Sequence, residues 1–252
     1  MEKLVVGNLK MNILSPLERE QYFKSFKKEM VGKKLSRTEI ILCPSPIHLE
    51  SFFKVLGGKA KIGALNAFWE RQGSFTGEVS PAMIKNFGGE YVVVGHSERR
   101  RYLHETDEEI NLKIIAILKN GLRPILCVGE SSQKESSAII INQLKNCLEG
   151  VTGAKMENVV LCYEPVWAIS SNKPDHMPTT NEVMSARLLI KKILVAKYGK
   201  KITDRVKIIY GGSVDAKNVK EICNESGMDG ALVGREALVP YELVKIARII
   251  NQ

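Results

Sequence analysis

Tyr91-Val92-Val93-Val94-Gly95-His96-Ser97-Glu98-Arg99-Arg100 is the stretch from which the fold can be worked out. Its four leading apolar residues are too few for a buried helix and suit a strand covered on both faces. The run stops at a glycine, and His96 then turns the chain into a charged segment. Comparable runs recur at 4–7, 39–43, 61–65, 124–128, 159–163, 206–210 and 230–233.

Between these runs lie longer segments with helical periodicity and start signals. Ser15-Pro16-Leu17-Glu18 offers an N-cap serine, a proline at the first helical position and a glutamate placed for a capping box. Ser45-Pro46 and Ser80-Pro81 repeat the first two elements, and Thr106 and Thr179 each stand three residues before a glutamate. Near the end, Leu243, Ile246, Ala247 and Ile250 form one helical stripe. Eight strand-then-helix units imply parallel strands joined by right-handed crossovers. In 252 residues they match an α/β, closed parallel (β/α)8 barrel forming a single domain over 1–252. An open doubly wound sheet is disfavoured because no Gly-x-Gly-x-x-Gly follows a strand.

Composition sets the outer limits. With 44% hydrophobic and 26% charged residues, the chain is neither disordered nor collagen-like. No apolar run approaches the ~20 residues of a membrane span, and the first residues lack a signal-peptide pattern, so a cytoplasmic location without membrane contact is expected. Five scattered cysteines, never as Cys-x-x-Cys, read as core residues rather than disulfides or zinc ligands. No spacing of His, Asp and Glu suggests a metal. The net charge of +9 is spread along the chain without an aromatic-interleaved basic stripe, which favours an anionic small molecule over nucleic acid.

In such a barrel the residues just after the strands converge on one face. They are Asn8 and Lys10, then His96, Ser97 and Glu98, then Glu164, Gly211-Gly212-Ser213 and Gly234. Glycines after the seventh and eighth strands suit a phosphate cradle, although Gly211-Gly212 also reads as a tight turn, as Gly88-Gly89 does. Glu164, beside Val166, Trp167 and Ile169, is either a general base with a raised pKa or a salt-bridged surface acid. His96 at a helix start would be a neutral donor or simply structural, the class to which His48, His104 and His176 are assigned. Together, carboxylate, imidazole, lysine and phosphate cradle suit proton abstraction beside a carbonyl, which needs no cofactor.

Six segments carry a resemblance over essentially the whole chain. Gly7-Asn8-Leu9-Lys10-Met11-Asn12, Gly73-Ser74-Phe75-Thr76-Gly77-Glu78, Gly95-His96-Ser97-Glu98-Arg99-Arg100, Tyr163-Glu164-Pro165-Val166-Trp167-Ala168-Ile169, Tyr210-Gly211-Gly212-Ser213-Val214 and Leu232-Val233-Gly234 resemble the triosephosphate isomerase family in order and spacing. The resemblance implies a TIM barrel that interconverts dihydroxyacetone phosphate and D-glyceraldehyde 3-phosphate through an enediolate, in glycolysis and gluconeogenesis. It implies Glu164 as the base, His96 as the neutral electrophile, Lys10 as the positive charge near the substrate, Asn8 as a residue that helps hold that end of the site, and Glu98 as the supporting acid that orients Lys10 and the loop. Backbone N–H groups of Ser213, Gly234, Arg235 and the lid residue Ser170 would hold the phosphate. Segment 165–175 corresponds to the family's water-excluding lid. The Phe75-Thr76-Gly77-Glu78 loop resembles the one that reaches into a second subunit, implying a homodimer with Thr76 beside the partner's catalytic residues.

Departures accompany the resemblance. Leu9 stands where the family usually has Trp. The lid reads Ser170-Ser171-Asn172-Lys173-Pro174 in place of Gly-x-Gly-Lys, which leads to an expectation of altered lid kinetics. Gly234-Arg235-Glu236-Ala237 replaces Gly-Gly-Ala-Ser, and the Arg235 side chain either adds charge near the phosphate or faces solvent. A sugar-phosphate epimerase would need a different acid–base pair, and a non-catalytic binding protein would be marked by a lost catalytic residue.

Overall fold

The structure is a computed structural model that describes residues 2–132, 137–169 and 176–252. Eight parallel strands close into a barrel in sequence order. They are β1 (Lys3–Asn8), β2 (Thr38–Cys43), β3 (Lys61–Ala64), β4 (Tyr91–Val94), β5 (Arg123–Val128), β6 (Val160–Tyr163), β7 (Lys207–Tyr210) and β8 (Gly230–Val233). Each coincides with an expected run to within one residue at either end. Closure is made by β1, which pairs Val5 with Ile40 on one side and with Ala231 on the other.

Strand side chains alternate between two separate apolar clusters, as the two-residue period requires. Leu4, Val6, Ile41, Cys43, Tyr91, Val93, Ile125, Cys127, Val160, Cys162, Ile209 and Leu232 fill the barrel interior. Their neighbours, such as Val5, Leu42, Val92, Leu126, Leu161 and Ile208, face the surrounding helices. Tyr91 also closes the lower end, donating its hydroxyl to Glu39 at 2.7 Å and accepting from Arg123 at 2.6 Å.

The helices relevant to the site are α1 (Pro16–Met30), α2 (Leu49–Leu56), α3 (Pro81–Asn86), α4 (Ser97–Tyr102), α5 (Asp107–Lys119) and α6 (Ala138–Cys147). Further on come α7 (Gly153–Met156), α8 (Thr180–Tyr198), α9 (Lys200–Thr203) and α10 (Pro240–Ile250). Thr106 and Thr179 form complete capping boxes with Glu109 and Glu182. Ser15 caps α1, but the box is incomplete: the Glu18 carboxylate accepts the Leu14 N–H, one residue earlier than the reciprocal bond requires. Ser45, by contrast, makes no cap, because its hydroxyl is used by the first loop of the site. Among the described residues no helix is long and apolar enough to cross a membrane.

All five cysteines are buried and unbridged, as their scattered positions imply. Burial pushes the thiols of Cys43, Cys147 and Cys223 up to about 12. A folded-state value above the unfolded value near 9 means that the native chain holds these protons longer. The stability they contribute is intact below pH 9 and is lost as pH rises towards 12. The urea midpoint is therefore expected to fall between pH 8 and pH 10.5, and Cys→Ala replacements at the three positions should flatten that fall. An unchanged slope in the triple variant would contradict it.

Candidate active site

Continuing the inward rows of β1 and of β4 to β8 by one step gives Asn8, Gly95, Gly129, Glu164, Gly211 and Gly234 at the carboxyl end of the barrel. Four of the six are glycines, so this layer is a shallow floor on which few side chains stand. Glu164 is one of them, and it is only 3% exposed. Its backbone N–H extends the β5–β6 ladder by donating to the Val128 carbonyl at 2.8 Å. Gly129 lets the chains close here: a Cβ at Gly129 would stand 1.9 Å from the Glu164 carbonyl oxygen. Gln143 of α6 grips Gly129 from behind, accepting its N–H at 2.9 Å and donating to its carbonyl at 3.3 Å.

The Glu164 carboxylate has both oxygens engaged. Oε1 lies 3.1 Å from His96 Nε2, and Oε2 accepts the Ser97 N–H at 3.0 Å. His96 is the N-cap residue of α4, and its Nδ1 accepts the Glu98 N–H at 3.3 Å. A ring nitrogen that accepts a backbone N–H carries no proton, which assigns the proton to Nε2. The imidazole is thus in its neutral form with Nε2–H directed at Glu164, in keeping with a histidine at a helix N-terminus.

Lys10 enters from the β1 loop with φ +50, an uncommon value for a side-chain-bearing residue. Both ends of its peptide units are held: Asn8 Oδ1 accepts the Lys10 N–H at 3.0 Å, and Ser45 Oγ donates to the Lys10 carbonyl at 2.9 Å. Its ammonium meets Glu98 Oε1 at 2.5 Å. Leu9 is completely buried beneath this loop. The β8 end lies alongside, where a Cβ at Gly234 would meet Lys10 Cε at 3.6 Å.

A cavity of about 120 Å³ opens between these groups, lined by Lys10, His96, Glu164, Gly211-Gly212-Ser213, Gly234 and Arg235. The structure therefore brings together Lys10, His96, Glu164, Ser213, Gly234 and Arg235. Asn8 and Glu98 instead line an adjoining groove of about 670 Å³, with Lys10 and His96 forming the wall between the two. The Arg235 side chain is exposed. The N–H of Ser213 donates to the Ala168 carbonyl at 3.3 Å, so in this state it is turned to its neighbour. Ser170, Asn172 and Pro174 lie outside the described residues, as does the rest of the lid beyond Ile169.

Two supporting residues escaped the reading of the sequence. Ser45 has the sequence position of a helix cap, but its hydroxyl steadies Lys10. Glu130 accepts from the Tyr163 hydroxyl at 2.9 Å and from Trp167 Nε1 at 2.8 Å, while its carbonyl accepts the Val166 N–H at 2.9 Å. It thereby fastens the turn Val166–Ala168 that leaves Glu164. Nothing local signals these contacts, apart from the position of Glu130 just past a strand end.

A family model described as triosephosphate isomerase matches residues 3–250. A relative named triosephosphate isomerase from Thermoanaerobacter sp. (strain X514) is 41% identical over 248 residues, covering 96% of this chain and 97% of its own length. Relatives of the same name from Alkaliphilus oremlandii (strain OhILAs) and Lactobacillus delbrueckii subsp. bulgaricus are 39% and 38% identical. The former alignment covers 96% of this chain and 97% of the relative; the latter covers 94% of each.

Proposed function

The chain belongs to the triosephosphate isomerase family, and from that premise we propose that Glu164, His96 and Lys10 carry the family's reaction on this barrel. The reaction interconverts dihydroxyacetone phosphate and D-glyceraldehyde 3-phosphate through an enediolate, in glycolysis and gluconeogenesis. The observation that supports the assignment is the His96 Nε2–Glu164 Oε1 contact of 3.1 Å in the wall of the cavity lined by Gly211-Gly212-Ser213 and Gly234. Base and electrophile face each other, with an anion cradle within reach.

Glu164 takes a proton from the carbon beside the carbonyl and returns it to the neighbouring carbon. His96 donates its Nε2–H to the substrate oxygens, and the Lys10 ammonium offsets the negative charge that develops there. Glu98 holds that ammonium, and Asn8 holds the backbone from which it projects. To act as base, Glu164 must give up its bonds to His96 and Ser97, so substrate entry replaces contacts that the resting site makes with itself. The N–H groups of Ser213, Gly234 and Arg235, where the backbone can come close to an anion, receive the phosphate together with that of Ser170. Residues 1–252 act as a single catalytic domain, and the proposed location is cytoplasmic.

A coupled assay of glyceraldehyde 3-phosphate isomerisation, with methylglyoxal followed as a side product, tests this reading. Rapid turnover with little methylglyoxal is expected, because an enediolate exposed to water expels phosphate. Absence of turnover in a folded chain would remove the assignment.

Members of the family act on triose phosphates and typically assemble as homodimers. In the proposed dimer, Phe75-Thr76-Gly77-Glu78 of each protomer enters the groove of about 670 Å³ beside Asn8, Lys10, His96 and Glu98. Residues 71–78 are all exposed, and apolar side chains around the groove stand out in solvent, Met11 at 88% and Ile47 at 82%. Thr76→Arg is expected to give a monomer by sedimentation and to lower kcat at least about tenfold, since the charged side chain cannot be buried unpaired. A dimer with full activity would rule this arrangement out.

A further inference from the structure

His96 is held by more than its helix. The peptide that leads into it carries the Gly95 carbonyl, and Arg100 Nε donates to that oxygen at 2.9 Å. Gly95 has φ +67, a conformation suited to glycine, and a Cβ there would press on Arg100 Nη2 at 3.2 Å and Ile110 Cδ1 at 3.1 Å. The guanidinium is fixed at its other corners. Nη1 donates to Asp107 Oδ1 at 2.6 Å, and Nη2 points at Cys147 Sγ at 3.6 Å. The ring of contacts is completed by the Cys147 thiol, which donates to Asp107 Oδ1 at 3.2 Å. Asn146 holds the second Asp107 oxygen at 3.3 Å.

We infer that Arg100 is a positioning residue for the isomerisation, setting the Gly95–His96 peptide so that His96 Nε2–H faces the reacting oxygens, with Asp107 and Cys147 fixing its guanidinium. The inference rests on the reading of His96 given above. Arg100 touches neither the cavity nor Glu164 and supplies no proton. Its planar fork ties three elements together: the Gly95 turn at the end of β4, the start of α5 and the end of α6. Lysine cannot reproduce that geometry, because one ammonium cannot reach along three fixed directions in a plane. Arginine here is therefore a geometric requirement as well as a charge.

The test is steady-state kinetics on the full chain, with Arg100→Lys made both alone and in a His96→Gln background. Alone, it is expected to lower kcat about 10- to 100-fold and to leave KM within about twofold, the pattern of a displaced catalytic group. In the His96→Gln background the same change should cost less than about twofold, because a residue that acts through His96 has nothing left to position. The 15N shifts of the His96 ring should show a mixture of tautomers in Arg100→Lys and one tautomer in the parent. Should Arg100→Lys fail to fold, Asp107→Asn retains the guanidinium but frees it, and a several-fold loss of kcat with the same background dependence is expected. Equal losses in both backgrounds, or a kcat within twofold of the parent, would overturn the inference. An inactive parent chain would overturn the isomerase reading itself, and this inference with it.

Discussion

Glutamine at position 164 lowers kcat for isomerisation by about 10²- to 10⁴-fold, the range general base catalysis supplies, and moves KM by only a few-fold. The amide keeps the shape of the carboxylate but cannot accept the carbon-bound proton. It also loses one of the two bonds observed here. If its oxygen faces the Ser97 N–H, its NH2 meets His96 Nε2–H, and two donors then confront each other where the carboxylate accepted both. Glu164→Gln is therefore expected to cost about 1 kcal/mol of stability as well, for a buried donor left unmatched. The coupled assay reads the first effect and a urea titration the second. A loss of less than tenfold in kcat would take the base role away from Glu164.

A large effect on folding is expected at Gly129, beside the candidate site. In Gly129→Ala the new methyl group would stand 1.9 Å from the backbone oxygen of Glu164, which no rotamer change can relieve. β5 and β6 must part at the point from which Glu164 projects, and Gln143 must release at least one of its two bonds. Overpacking of this kind costs about 3 kcal/mol or more, roughly 6–12 °C in Tm for a domain of this size. Gly58→Ala is the control, because nothing lies within 4 Å of a Cβ there. A thermal melt of the two variants separates a local clash from a general intolerance of alanine. Equal Tm values would show that the strands yield more easily than their spacing implies.

The sequence carries the barrel because every local signal agrees with it. Period-two strands, capping threonines and glycines after strands are properties of neighbouring residues, and they appear in the structure within a residue of where they were expected. The convergence of Lys10, His96 and Glu164 follows once the strands are taken as parallel and closed. What stays hidden are contacts between residues far apart in the chain. Ser45 precedes a proline and looks like a cap, yet its hydroxyl serves Lys10, 35 positions earlier. Glu18 is spaced for a box, but the Leu14 N–H competes successfully for its carboxylate. Gly129 resembles any turn glycine until Glu164 is placed against it. The split of the site into a small cavity and a larger groove, with Asn8 and Glu98 facing the latter, depends on side-chain directions that spacing does not encode.

The Ser213 N–H donates to the Ala168 carbonyl, so under the proposed role in phosphate binding one hydrogen would serve two competing acceptors. A phosphate oxygen that claims it must displace Ala168, and Ala168 when reseated must evict the phosphate. By linkage, each weakens the other by the same factor. The grip on the anion and the seating of the turn behind Glu164 are therefore two readings of a single equilibrium, and a change that tightens one loosens the other.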